Sequence, residues 1–248
     1  MRAVVVGASS GLGRCIAVGL AQRGAQVALM ARRVDKLTNA AKEAGSGSLV
    51  ICCDVTDADS CRRAIDEAAS GMGGIDALVY TPGIGSLSRI EDVDVEEWRA
   101  SFDTNVIGAS TTTAAALPHL EASSGAAVYL SSVSASLTPP WPGLSAYAVS
   151  KAALDKLIEA WNGEHPGVGF TRVIVGDCAG GEGDAMTGFT DGWDPELAGE
   201  LATQWLDQKY IAGNLLDVRE LVGVVDAVLR LGASARIPSV TVTPRPAG

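Results

Sequence analysis

The stretch V-G-A-S-S-G-L-G, residues 6–13, follows an apolar run at 3–6 and precedes a helical pattern at 12–23. Its glycines at 7, 11 and 13 therefore stand between a strand and a helix. A glycine in such a turn accepts positive φ, and glycines elsewhere let an anion approach the backbone. The first turn of the following helix offers N–H groups that no carbonyl of the helix can satisfy. Ser9 and Ser10 add hydroxyls. Gly7, Ser9, Ser10, Gly11, Leu12 and Gly13 thus read as a phosphate-binding turn at the start of an α/β unit.

The rest of the chain continues that alternation. Short β-branched runs at 3–6, 26–30, 48–52, 77–80, 126–130, 169–175 and 239–242 read as strands buried on both faces. Helical patterns occupy 12–23, 34–44, 57–70, 96–117, 145–161 and 218–231, with Pro118 just past the fourth. Strand and helix in turn predict one α/β domain over 1–248, a doubly wound parallel sheet of about seven strands with helices on both faces. One stretch breaks the pattern. Residues 176–194 carry six glycines and no apolar period, too long for an ordinary connection. With the helical segment at 195–210 they are expected to form a flap over a pocket at 176–210.

Composition narrows the function. The chain has 248 residues, 47% hydrophobic, with a formal charge of −10. That balance argues against nucleic acid as the partner, because its phosphates repel an acidic surface. The five cysteines are odd in number and lack C-x-x-C spacing, so neither a disulfide framework nor a zinc site is expected. The two histidines, His119 and His165, stand far apart, and no metal is expected. No apolar run reaches the ~18 residues of a membrane span, and the opening M-R-A-V-V-V-G is too short for a signal-peptide core. A cytoplasmic protein is the expectation.

Two further features carry chemistry. The second strand ends in M-A-R-R, residues 30–33, where an acid would bond a ribose 2′-hydroxyl and repel a 2′-phosphate. Arg32 and Arg33 suit a phosphate instead, which favours NADP(H), with NAD(H) as the other option. In S-A-Y-A-V-S-K, residues 145–151, Tyr147 and Lys151 share one helix face as i and i+4 neighbours. A cation there favours the phenolate and lowers the pKa of a proton donor.

By these motifs the chain resembles the short-chain dehydrogenases/reductases, in their compact single-domain branch with a Rossmann-type sheet. V-G-A-S-S-G-L-G is similar to the family's T-G-x-x-x-G-x-G loop, with Val6 for threonine. C-D-V-T, residues 53–56, resembles the segment where Asp54 contacts the adenine with Val55 beside it. N-V-I-G at 105–108 resembles N-V-x-G and supplies Asn105; L-S-S-V at 130–133 resembles the end of the serine-bearing strand. Y-A-V-S-K matches the tyrosine–lysine signature. Two departures stand out. The family's N-N-A-G is Y-T-P-G at 80–83, keeping only Gly83, and the P-G after the sixth strand is replaced by residues 176–181. The family's usual spacing points to Ser134 as the serine, whereas the strand-end pattern points to Ser132, which we prefer because strand ends are where such sheets place ligands.

The resemblance implies hydride transfer between nicotinamide and a carbonyl or secondary alcohol. Tyr147 is then the proton donor, Ser132 the hydrogen-bond donor to the carbonyl oxygen, and Lys151 the charge beside the phenol and the anchor of the nicotinamide ribose. Asn105 fixes a water in a proton relay. It also implies a homodimer or homotetramer paired through the helices bearing Asn105 and Tyr147. Met186, Phe189, Trp193, Leu137, Trp141 and Leu144 suggest an apolar pocket mouth for a 3-oxoacyl, steroid-like or other ketone. The alternative is a redox sensor or scaffold of the same fold that binds the dinucleotide without catalysis; the retained set of Asn105, Ser132, Tyr147 and Lys151 argues against it. An epimerase of the extended branch would need a longer substrate domain.

Overall fold

The computed structural model describes residues 1–245 apart from 182 and 212. The expected domain over 1–248 and flap over 176–210 reach into residues 246–248 and 182, which lie outside the described residues. Seven strands form one parallel sheet: Arg2–Val6 (β1), Gln26–Ala31 (β2), Leu49–Cys52 (β3), Ala77–Tyr80 (β4), Ala126–Ser132 (β5), Gly169–Val175 (β6) and Ser239–Val242 (β7). Their order is β3-β2-β1-β4-β5-β6-β7, so the winding reverses between β1 and β4. In open sheets of this kind ligands bind at the carboxyl edge of that reversal.

The helices are Gly11–Gln22 (α1), Val34–Ala44 (α2), Ala58–Met72 (α3), Val95–Phe102 (α4), Gly108–Ser123 (α5), Val133–Ser136 (α6), Ser145–Glu164 (α7), Pro195–Asp207 (α8) and Val218–Leu229 (α9). The two-residue period of the strands divides the core. Val4, Val6, Leu78, Tyr80 and Tyr129 point to the face covered by α3, α5 and α7. Ala3, Val5, Val79, Val128 and Leu130 point to the face covered by α1, α2 and α9. Each such fully buried Val or Leu contributes about 1.5–3 kcal/mol, which is why the central strands are apolar without alternation.

The expected helix over 96–117 differs in two ways. A capping box starts its first part, with the Asp94 carboxylate accepting from the Glu97 N–H at 2.8 Å. The helix then widens into a π turn over Asp103–Ile107 before α5 begins. That extra residue turns Asn105 fully inward. Nor does α5 stop at Pro118; it runs on to Ser123. Proline costs a helix one hydrogen bond, but Leu120 is fully buried beyond it and the Ser123 hydroxyl donates to the Ile75 carbonyl at 3.0 Å. Packing holds the last turn where local propensity would end it.

All five cysteines are free. Among the described residues no helix is long and apolar enough to cross a membrane.

Candidate active site

One cleft of about 820 Å³ runs along the carboxyl edge of the sheet. The loop after β1 forms one wall, the ends of β2 and β3 lead away from it, and the end of β5 with α7 forms the other. Gly7, Ser9, Ser10, Gly11, Leu12, Gly13, Arg32, Arg33, Asp54, Val55, Gly83, Ser132, Ser134, Tyr147 and Lys151 all line it. Asn105 does not.

At the glycine loop, space is the constraint. Gly7 has φ +82°, and a Cβ there would sit 2.6 Å from the Thr81 hydroxyl oxygen. A Cβ on Gly13 would stand 2.5 Å from the Gly7 carbonyl oxygen, too close for any side chain. Thr81 replaces a family asparagine, and its hydroxyl donates to the Val6 carbonyl at 2.6 Å. That bond ties the ends of β1 and β4 together where the winding reverses. Ser10 precedes α1 in extended conformation, and its side chain does not cap the helix. The hydroxyl instead accepts from the Arg33 guanidinium at 2.7 Å, and Ser9 accepts from the same nitrogen at 3.0 Å. The first-turn N–H groups of α1 thus keep no side-chain cap from Ser10, and a cation stands beside them.

Asp54 is committed locally. One carboxylate oxygen accepts from the Thr56 N–H at 3.0 Å and from its hydroxyl at 2.8 Å. Burial pushes the carboxyl up, but these bonds and the Arg32 charge outweigh it and hold Asp54 below its ordinary range.

At the other end, Ser132 closes β5 and opens α6, its hydroxyl accepting from the Ser134 N–H at 3.2 Å. The two serine hydroxyls lie 2.9 Å apart. Of the two, Ser132 is the hydroxyl that acts on the Tyr147 phenol. Burial pushes that phenol up to about 12, and Ser132 pulls it back only in part. Lys151 stands one turn along α7, its ammonium 5.8 Å from the tyrosine ring centroid. It donates to the Leu130 carbonyl at 2.8 Å and the Pro82 carbonyl at 3.4 Å. Burial lowers it to about 8, opposed by the charge of Asp155. The expectation that lysine lowers the tyrosine pKa is outweighed here by desolvation, which disfavours both charged forms. A Cβ on Gly83 would lie 3.1 Å from that ammonium, so a side chain there would have to push the lysine head aside.

Asn105 sits behind the wall. Its amide donates to the Ile84 carbonyl at 3.0 Å and the Ser150 hydroxyl at 2.8 Å, and accepts from the Ile84 N–H at 2.9 Å. Its side chain pins the loop after β4 onto α7 and does not face the cleft.

From the stretch after β6, Gly176, Cys178, Gly180, Thr187, Phe189 and Asp191 line the cleft. Thr187 comes within 3.3 Å of where a Gly11 Cβ would be, and Phe189 packs edge-on to Tyr147 at 4.9 Å between centroids. Trp193 follows Phe189 at 5.5 Å and donates its indole N–H to the Gly85 carbonyl at 3.1 Å. Leu144 and Trp141 belong to this apolar cluster, whereas Met186 and Leu137 are exposed. Sequence reasoning missed Trp205 and Tyr210 of the cluster; Trp141 stacks on Tyr210 at 6.4 Å. The helical period of 195–210 was the signal that could have placed Trp205 inward.

The model of the short chain dehydrogenase family matches residues 1–188. The chain belongs to the short-chain dehydrogenase family. That family carries out nicotinamide-dependent oxidoreduction at CH–OH and C=O carbons. Its curated relatives include 11-beta-hydroxysteroid dehydrogenase 1A of Arabidopsis thaliana, 41% identical over 63% of this chain and 46% of that protein. Another is 11-beta-hydroxysteroid dehydrogenase A of Sesamum indicum, 37% identical over 70% and 51%. The chain thus spans about half the length of these curated relatives. Solved structures align along nearly all of it. An alcohol dehydrogenase from Thermococcus sibiricus, complexed with 5-hydroxy-NADP, aligns at TM-score 0.80 and 26% identity over 97% of this chain and 94% of that one. A short-chain dehydrogenase/reductase from Mycobacterium marinum does so at 0.81 and 28%, over 98% and 93%.

A nicotinamide dinucleotide fits the residues present. The glycine cradle that a Cβ would fill, the arginine and hydroxyls beside it, and the ammonium with its phenol at the far end suit pyrophosphate, adenosine ribose and nicotinamide ribose in turn.

Proposed function

We propose that the chain is an NADPH-dependent reductase of an apolar ketone, a 3-oxoacyl or steroid-like carbonyl among the classes that suit its cleft. The observation that carries this reading is the Ser132–Tyr147–Lys151 set at the end of a cleft whose opposite end holds Arg33 against Ser9 and Ser10. The dinucleotide, when bound, supplies or accepts the hydride. The chain's residues do the rest. Tyr147 keeps its proton at neutral pH and gives it to the carbonyl oxygen as carbon is reduced. Ser132, at the end of β5 beside the phenol, donates to the same oxygen as its charge develops. Lys151 stays cationic below pH about 8 and favours charge transfer off the phenol. The described residues of 176–210 act as the flap that excludes water, with Phe189 over Tyr147.

The protonated phenol is the form that carbonyl reduction draws on. The 2′-phosphate assignment rests on Arg32 and Arg33, and the similar alcohol dehydrogenase from Thermococcus sibiricus is complexed with 5-hydroxy-NADP. Exposed Ile107 and Val149, on the elements bearing Asn105 and Tyr147, support a homodimer or homotetramer through that surface. A cytoplasmic site of action accords with the free cysteines.

The test is NADPH and NADH titration by fluorescence, then turnover on ketones, 3-oxoacyl thioesters and quinones. Tyr147→Phe is expected to keep dinucleotide binding and lose turnover. Near-normal activity in that variant would refute the assignment, and binding without turnover by the unaltered chain on every carbonyl would favour a sensor.

A further inference from the structure

Asp155 is a buried acid that the mechanism above does not use. It lies on α7 one turn beyond Lys151, so Tyr147, Lys151 and Asp155 follow at four-residue intervals along one helix face. Its side chain is 5% exposed, and neither carboxylate oxygen has a hydrogen-bond partner among the described residues. The Ser131 hydroxyl, buried and also without a hydrogen-bond partner, faces it from β5 and favours its charge. From β6, Arg172 stands 3.8 Å away but spends its guanidinium on Glu159 at 3.1 Å. A buried carboxylate with so little compensation is costly, and a nearby cation lowers that cost.

Lys151 is that neighbour. Its ammonium is buried, and its hydrogen-bond acceptors are two backbone carbonyls, of Leu130 and Pro82. Tyr147 from α7, the Leu130 carbonyl from β5 and the Pro82 carbonyl from the loop after β4 face it, and Asp155, one turn further along α7, acts on it by charge without a direct ion pair among the described residues. Asn105, behind them, is neutral. Asp155 is the anion among these groups.

We propose that Asp155 is a positioning residue that acts through Lys151, its buried carboxylate keeping the ammonium charged and seated against β5. This rests on the catalytic reading of Lys151. Burial alone carries Lys151 down toward neutrality, and Asp155 opposes that loss. The same burial raises the Asp155 carboxyl above its ordinary value, while Ser131, Arg172 and Lys151 pull it back. The lysine–aspartate pair therefore sets the pH above which the site loses its cation.

The chain has five lysines, so Lys151 is readily followed by NMR in protein carrying ¹³C-labelled lysine, without dinucleotide. Lys151→Arg assigns its signal. The expected midpoint near 8 in the unaltered chain falls by about one unit in Asp155→Asn and stays near its original value in Asp155→Glu. Asp155→Ser serves if the asparagine variant does not fold. An unchanged Lys151 midpoint in a folded neutral variant overturns the proposal. So does a glutamate variant shifted as far as the neutral one, since packing and not charge would then be at work. The alkaline limb of kcat/KM for carbonyl reduction is expected to move down with the NMR midpoint. If the unaltered chain turns over no carbonyl, the functional reading fails while the titration still decides the role of Asp155.

Discussion

At the scale of single residues, two adjacent hydroxyls invite confusion and the geometry separates them. Ser132 is the hydroxyl that draws the Tyr147 phenol's pKa back, whereas Ser134 is buried and bonds Ser132. Removing a donor aimed at developing charge costs about 10²–10³ in kcat. Ser132→Ala is therefore expected to fall in that range with little change in dinucleotide affinity. Ser134→Ala removes a neighbour of the donor and is expected to lose about tenfold or less. Steady-state kinetics on both variants check this, and the reverse ranking would move the catalytic role to Ser134. The serine choice was open in the sequence because strand end and spacing disagreed by two residues. The Tyr147 and Lys151 pair was legible because its spacing is local to one helix. Asp155, eight residues after the tyrosine, was not, since an acid on an amphipathic helix reads as part of a solvated face. The Thr81 bond to Val6 was hidden for a different reason: it joins strands 75 residues apart.

At the scale of elements, two contacts make separable predictions. The amino ends of β1 and β4 are clamped by Asp76, which accepts from the Arg2 N–H at 2.8 Å and from its guanidinium at 3.1 Å. Those bonds hold the Asp76 carboxyl below its ordinary value. The unfolded chain binds a proton there first, so the clamp is fully present above pH about 4 and is lost as pH falls through the lowered folded value. Asp76→Asn is expected to cost about 1 kcal/mol at neutral pH, given partial exposure, or about 2–4 °C in Tm. The gap between variant and parent should close below pH about 4; a gap that persists in acid would place its origin in packing. Phe189 over Tyr147 governs the other contact. Phe189→Ala is expected to raise KM for bulky apolar ketones more than for small ones, with dinucleotide affinity unchanged; a uniform rise would remove Phe189 from substrate contact. The strands themselves were plain in the sequence as β-branched runs. The π turn at Asp103–Ile107 was not, because one inserted residue leaves the apolar period almost intact. Helix continuation past Pro118 depends on Leu120 and Ser123 meeting other elements, which no local pattern records.

At the scale of the whole molecule, the cleft touches the carboxyl ends of β1, β2, β3, β5 and β6 and the loop after β4, with residues from 176–194 lying across it. A ligand filling it links both halves of the sheet, and the unfolded chain offers no such site. Binding therefore adds RT ln(1 + [L]/Kd) to stability, about 2.7 kcal/mol at a hundredfold excess over Kd. For a chain of this length that corresponds to about 5–10 °C in Tm. The net charge of −10 works against an anionic ligand at long range, so the proposed preference for the 2′-phosphate form requires local cations. Arg33 and Arg32 flank the one end of the cleft where a 2′-phosphate would lie. NADPH is expected to raise Tm more than NADH at equal concentration, and the difference should shrink as salt screens the guanidinium–phosphate pair. In the double variant Arg32→Ala, Arg33→Ala the two dinucleotides should stabilise equally, with the NADH shift little altered because the glycine cradle is intact. Differential scanning at two salt concentrations measures all three quantities. Equal shifts for both dinucleotides in the unaltered chain would sink the 2′-phosphate assignment while leaving the cradle in place, and no shift with either would remove the cradle as well.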